Sequence, residues 1–414
     1  MYGQSSMSSV SFDDGVRGQL ESRIPAVSLL PNLRTITVRA NDLPLTTLFL
    51  SPRVHKLKLV MLPTQAAALS ALALEIPLRS PTLRSLNLVQ NGVWNISHKA
   101  QFIDALVGLL GHLQLEEFMC NWFPLSEDML RAVLAMPYLS SVVMYAAMPD
   151  LAKVMHDHPI QDARIRFFSV YTPLLVPSQL PHIVSSLRPS KLETLAITAR
   201  RDSCNNAKEL TDLISTLVNT CSPQHFTELC IDSGRRDAVD AAAATIDFKM
   251  LKPLLPYVHL KRIFLPAHPF DLTDLEVKDL AMAWPNLEDL CFWAYQYTAA
   301  AAAVPGGSTT AGGNGPRTSL KGLLWLATHC RKLNNLTFPF RSVSIGEEIL
   351  TEDEMALAQG HGLDVLDVGF SEIQCAERVA AFINRVFPDL KLFLFRVGEP
   401  YYERWEKVQE LIQC

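Results

Sequence analysis

Charge is in short supply in this sequence. Only 19% of its 414 residues are Asp, Glu, Lys or Arg, against 49% hydrophobic, where a globular domain typically carries about 25% charged residues. The chain is rich in core and poor in solvated surface. Its net charge of -5, from 37 basic and 42 acidic residues, shows no global basic excess of the kind that recruits nucleic acid or an anionic membrane. Long apolar runs are missing too. Leu59 to Leu74 is broken by Pro63, Gln65 and Ser70, short of the ~20 apolar residues that a membrane span needs. Met1 to Gly18 is Ser- and Gly-rich with no apolar segment, so no secretory signal is expected.

Chemical motifs are equally scarce. None of the eight cysteines (Cys120, Cys204, Cys221, Cys230, Cys291, Cys330, Cys375, Cys414) lies in a Cys-x-x-Cys pair. Buried free thiols in a reducing compartment, cytoplasmic or nuclear, are the expected state. Gly-x-Ser-x-Gly is absent, and the glycines between 306 and 315 are not followed by the Lys-Ser/Thr of a phosphate loop. His156-Asp157-His158 has two potential metal ligands but no third at a recognisable spacing, which fits a solvated helix end better. The sequons at Asn95 and Asn335 read as chance. The expectation is a non-enzyme with no cofactor and no metal.

What the sequence does have is a phrase that returns. Leu83-Arg-Ser-Leu86-Asn-Leu88 has the form Leu-x-x-Leu-x-Leu. Its last three residues alternate at the period of a short strand, and Pro81 just before it forces the chain out of the preceding helix. Similar phrases begin at Leu33, Val54, Leu115, Leu139, Ile165, Leu192, Phe226, Leu260, Leu287, Leu333, Leu363 and Leu390. Thirteen phrases spaced by about 30 residues on average, with gaps from 21 to 46, match an irregular leucine-rich repeat. Helical patterns lie between them, at Lys99 to Leu110, Ser126 to Ala135, Glu209 to Val218, Thr273 to Ala283 and Ala376 to Val386. Ser126 opens one as an N-cap, and Thr273 with Glu276 opens another as a capping box.

A strand and a helix repeated at one period predict an α/β solenoid, a horseshoe with a parallel sheet on the concave face and helices on the convex face. An ordinary parallel α/β sheet would instead show near-continuous apolar strands. The expected layout is a disordered segment 1–24 and one irregular solenoid over 25–400. A flexible Ala- and Gly-rich insertion interrupts it at 298–318, and a capping helix, 401–414, closes it with Trp405, Val408, Leu411 and Ile412 at helical spacing.

Function then falls to the surface. The x residues of each phrase point outward on the sheet. They run from basic at Arg34, His55, Lys56, Lys58 and Arg84 to acidic at Glu116 and Glu117, then Lys261 and Arg262, Glu288 and Asp289, Asp364 and Asp367. A solvated face accounts for scattered charge equally well. Aromatics follow several strands: Trp122, Phe123, Trp293, Tyr295 and Tyr297, and aromatics and Arg dominate binding hot spots. The candidate protein-binding residues are Arg34, Lys56, Lys58, Arg84, Glu117, Lys261, Arg262, Glu288, Trp293, Tyr295 and Tyr297.

The run from Ala26 to Leu62, with Leu30-Pro-Asn-Leu-Arg-Thr-Ile and Leu48-Phe-Leu-Ser-Pro-Arg-Val-His-Lys-Leu-Lys-Leu, resembles the start of the repeat region in fungal F-box/leucine-rich-repeat proteins. Trp284-Pro-Asn-Leu-Glu-Asp-Leu and His329-Cys-Arg-Lys-Leu-Asn-Asn-Leu resemble later repeats of that family. The resemblance implies a protein substrate on the concave face. It also implies a Skp-type adaptor and cullin bound through an N-terminal F-box, in a ubiquitin ligase. The ~24 residues before the first repeat lack the helical F-box pattern, so such a partner is expected only if an F-box precedes this chain. The alternatives are a general protein-interaction scaffold or an enzyme regulator without ligase recruitment. Neither nucleic acid nor membrane is an expected partner.

Overall fold

A computed structural model of the chain describes residues 32–39, 46–61, 66–90, 99–158, 165–173, 176–187, 191–199, 207–232, 245–265, 270–292, 317–342, 351–369, 371–395 and 401–413. The expected disordered segment 1–24 lies outside them. The chain divides into two compact units, Met1–Ala146 and Ala147–Cys414.

In the first unit, strands alternate with helices: β1 (Thr35–Arg39), α1 (Thr46–Phe49), β2 (Lys56–Met61), α2 (Ala66–Arg79), β3 (Ser85–Gln90), α3 (Lys99–His112), β4 (Glu117–Pro124), α4 (Glu127–Leu134) and β5 (Ser141–Tyr145). The five strands are parallel and lie side by side in sequence order. Register follows the phrase. Ile36, Leu57, Leu86, Phe118 and Val142 align as one buried row, and burial alternates residue by residue along β1 and along β4 as far as Asn121. Each such side chain withdrawn from water contributes roughly 1.5–3 kcal/mol, enough to fix a register whose one-residue slip would expose every leucine. Ser126 caps α4, its hydroxyl accepting from the Met129 amide.

The second unit repeats the alternation. It runs α5 (Met148–Asp157), β6 (Phe167–Thr172), α6 (Leu180–Ser186), β7 (Thr194–Ala199), α7 (Ala207–Thr220), β8 (Glu228–Asp232), β9 (Ile246–Asp247) and α8 (Phe248–Leu251). Then come β10 (Arg262–Leu265), β11 (Phe270–Asp271), α9 (Asp274–Ala283), β12 (Asp289–Phe292), α10 (Leu320–His329), β13 (Asn335–Thr337) and β14 (Arg341–Ser342). The unit closes with α11 (Glu352–Ala358), β15 (Val365–Asp367), β16 (Glu372–Ile373), α12 (Ala376–Val386), β17 (Leu392–Leu394) and α13 (Tyr402–Gln413). Eight strands pair in parallel in the order β6-β7-β8-β10-β12-β13-β15-β17. Phe168, Leu195, Leu229, Ile263, Leu290, Leu336, Leu366 and Phe393 share one row. Two short parallel pairs, β9 with β11 and β14 with β16, form a second set of bridges between repeats.

One backbone device recurs in both units. The carbonyl of the second residue in a phrase accepts two amides, from the second and third residues of the next phrase. Arg34 accepts from His55 and Lys56, Arg84 from Glu116 and Glu117, Lys261 from Glu288 and Asp289, and Asp364 from Lys391 and Leu392. The first residue of a phrase meanwhile closes a turn onto the residue three before it, as Leu83 does on Ser80 and Leu287 on Trp284. Where it forms, that turn ends the helix and relaunches the strand; Phe226 closes instead onto Ser222 and Leu363 onto His361. The fold is therefore α/β, of the leucine-rich-repeat kind, with sheet and helices as separate layers around a core of phrase leucines.

Of the expected insertion 298–318, residues 298–316 lie outside the described residues, and the last two are anchored. Thr318 is fully buried and donates to the Leu272 carbonyl at 2.6 Å, while Arg317 pairs with Asp271 at 2.5 Å. Helix α13 buries Trp405 and Val408. The Trp405 indole donates to the Ser371 carbonyl at 2.8 Å, and its ring packs against Phe340 and Phe393. Among the described residues no helix is long and apolar enough to cross a membrane.

Candidate protein-binding face

Alternation along each strand puts the x residues of the phrases on the sheet face opposite the buried leucines. The register then decides which charges meet. In the first unit Arg84 reaches Glu116 at 2.8 Å, and Lys56 reaches over β3 to Glu117 at 3.3 Å. Arg34 and Lys58 are exposed, and no described carboxylate lies within ion-pair distance of either.

In the second unit Arg166 pairs with Glu193 at 2.5 Å, Lys261 with Glu288 at 3.5 Å and Lys391 with Asp364 at 2.8 Å. Each is a contact between the second positions of adjacent phrases. One position further on, Arg262 sits between Glu228 at 3.9 Å and Asp289 at 2.6 Å, and Asp289 also accepts from the Asn335 amide. Of the sequence candidates, Lys56, Arg84, Glu117, Lys261, Arg262 and Glu288 are thus held in rung-to-rung pairs. Most of these pairs are exposed, so each contributes little to stability; what they fix is the position of the charges.

The next row inward differs. Ser169, Ala196, Cys230, Phe264, Cys291, Thr337, Asp367 and Leu394 lie in register across the eight strands. Phe264 is 38% exposed between the buried Ile263 and Leu265, and Leu394 is 40% exposed. In the first unit Met119 occupies the equivalent place, also exposed. The phrase pattern treats these positions as generic solvent-facing x residues; an aromatic standing at one of them, Leu260-Lys-Arg-Ile263-Phe264, was the available signal. Asp367, expected among the outward charges, is buried and accepts from the Gly369 amide at 2.9 Å.

Burial pushes Cys230 up to about 12, helped by the Asp232 and Glu228 carboxylates, and burial likewise pushes Cys291 up to about 12. Among the described residues no group of three or more His, Cys, Asp or Glu side chains forms a metal site. His156, Asp157 and His158 are exposed at the end of α5. Of the aromatics that follow strands, Phe123 is core, and Trp122 is part-buried with its indole donating to the Leu88 carbonyl at 2.6 Å. Trp293, Tyr295 and Tyr297 lie outside the described residues.

No family model matches the sequence, and no curated protein matches it. A chain in the crystal structure of the Rad7 and Elc1 complex in yeast is similar, with a TM-score of 0.50 and 13% identity over 87% of this chain and 81% of that one. At that identity the likeness bears on fold alone, and it agrees with a stack of strand-and-helix repeats.

Proposed function

We propose that this chain is a non-catalytic protein-binding scaffold, and that a partner seats on the strand face of the second unit around Phe264. The observation that carries the reading is the setting of that ring. Phe264 stands exposed in register between Cys230 and Cys291, beside the row in which Glu228, Arg262, Asp289 and Asn335 are tied to one another. An apolar anchor inside a polar frame that is already paired has the anatomy of a binding hot spot. The frame's charges need no rearrangement, and a Phe with two rotatable side-chain bonds loses little entropy on burial.

The finer form of the proposal is a substrate-recognition part of an F-box-type ubiquitin ligase receptor, with a Skp-type adaptor and cullin as further partners if an F-box precedes this chain. It rests on the resemblance of the repeat phrases and on a structural neighbour that was itself crystallised in a complex with Elc1. Trp293, Tyr295 and Tyr297, which follow β12 in the sequence, are further candidate partner contacts. The test is affinity capture with the purified chain, wild type against Phe264→Ala, with thermal melts as the folding control. Partners lost at an unchanged melting temperature support the site; a partner set indifferent to Phe264 removes it. Co-elution of a purified Skp-type adaptor with this chain tests the ligase reading separately.

A further inference from the structure

We infer that the strand face of the first unit docks an acidic peptide segment. The inference rests on the protein-binding reading above and names the chemistry of a partner there. The outward positions of β1, β2 and β3 are Thr35, Thr37 and Arg39, then Lys56, Lys58 and Val60, then Ser85, Asn87 and Val89, placed together by the parallel register. None is a carboxylate, and Arg34 and Arg84 flank them at the strand entrances. In a chain with net charge -5, this is a local excess of one sign.

Among the described residues of the other strands, Arg166, Lys261, Arg262 and Lys391 are each engaged by a carboxylate. Here Arg34, Arg39 and Lys58 are exposed, and none has an ion pair among the described residues. Glu117 engages Lys56 and Glu116 engages Arg84, leaving those three cations uncompensated. A second observation points the same way. Asn87, the register partner of Lys58, has a buried side-chain oxygen with no hydrogen-bond partner. An unmet buried acceptor beside free cations suits a ligand that brings both backbone N–H groups and negative charge. Lys56 and Lys58 stand two residues apart on one strand, about 6.6 Å at ~3.3 Å per residue. That is the interval between alternate side chains of an extended peptide.

Two features favour a peptide over a nucleic acid. No aromatic occupies an outward position of β1, β2 or β3, so the patch has no stacking platform for bases. Glu116 and Glu117 border it on the next repeat, where a longer polyanion would meet like charge.

The experiment uses the full chain and a fluorescein-labelled peptide alternating Glu with Ser, read by anisotropy at low and high salt. An equally charged single-stranded oligonucleotide and a Gln-for-Glu peptide serve as comparators. The expected result is salt-sensitive binding of the acidic peptide alone. Arg39→Glu with Lys58→Glu should weaken it about tenfold at an unchanged melting temperature, the double Gln variant should lose less, and Phe264→Ala should not change it. Absence of peptide binding, equal binding of the Gln peptide, indifference to charge reversal, or tighter binding of the oligonucleotide each overturns the inference. A chain that captures Phe264-dependent partners yet ignores the peptide overturns this inference and leaves the scaffold reading standing.

Discussion

The imidazole Nε2 of His361 lies 2.9 Å from the carbonyl oxygen of Cys330. The contact assigns the hydrogen to Nε2 and leaves Nδ1, buried and without a partner, as the bare nitrogen of a neutral ring. It is one step in a series between the ends of neighbouring repeats. Tyr257 donates to the Cys221 carbonyl at 3.1 Å, Trp284 to Leu254 at 3.1 Å, and the Cys330 thiol to Trp284 at 3.5 Å. Side chains where helices end thus give carbonyls of the previous repeat a further donor, three of them beyond the turn amide they already accept, so the layers are tied by directional bonds as well as by leucines.

Acid should therefore weaken the protein through His361. Burial holds its imidazole below the ordinary histidine range, and the Arg331 charge pushes the same way, against the Cys330 carbonyl bond. The unfolded chain then binds the proton more readily than the folded one, so stability rises with pH and falls as pH drops below about 6.5. His329 is displaced in the same direction by burial, Lys278 and Arg331. Melting temperatures across pH 5 to 8 should decline on the acid side. His361→Gln should flatten part of that decline, with His329 supplying the remainder; a profile identical to wild type would assign the acid sensitivity elsewhere.

Trp284→Phe keeps most of the buried ring and removes its N–H. The Leu254 carbonyl would lose its indole donor while keeping the Tyr257 amide, at a cost of roughly 0.5–1.5 kcal/mol. Urea denaturation of the variant measures this directly, and a loss far above that range would mean that ring volume, not the hydrogen bond, dominates at this position.

Leu86 is fully buried and Leu290 nearly so. Replacing either by Ala should cost roughly 2–5 kcal/mol. Arg84→Ala and Glu288→Ala, which remove exposed or half-exposed ion-pair members, should cost about 0.5 kcal/mol or less. Melts of the four variants separate the two faces of the phrase. Equal losses at both sets would contradict the assignment.

The same contrast explains what could be read from the chain. Phrase leucines such as Leu86 and Leu290 announce strands because burial imposes a period of two, and Thr273 with Glu276 announces α9 because a capping box is local; its Thr273 amide does donate to Glu276 at 2.7 Å. Ion pairs such as Lys56 with Glu117 join residues 61 apart, and only the parallel register brings them together. Phe264 was hidden for the opposite reason. A phrase pattern marks where apolar residues belong, so an exposed aromatic at an x position reads as noise until accessibility is known. The two-residue strands β9, β11, β14 and β16 carry too few residues to show any period. Asp367 looked solvated because its neighbours in the pattern are.

The pair between Arg262 and Asp289 joins the frame around Phe264 to its energetics. The guanidinium Nε lies 2.6 Å from Asp289 Oδ2, with Arg262 about half exposed at 49% and Asp289 at 26%, so solvent screens most of the attraction. A double-mutant cycle with Arg262→Ala and Asp289→Ala should give a coupling of only about 0.2–1 kcal/mol at low salt. It should shrink as ionic strength brings the Debye length to ~8 Å and below. Glu228, 3.9 Å from the same guanidinium, should recover part of the interaction in Asp289→Ala and keep that single variant mild. If the frame serves recognition, Arg262→Ala should weaken partner capture more than it lowers the melting temperature, because the lost charge orients a partner while adding little to the fold. A large, salt-independent coupling would place the pair in the core economy of the sheet, and Phe264 would then lack the preset polar border on which the proposed site depends.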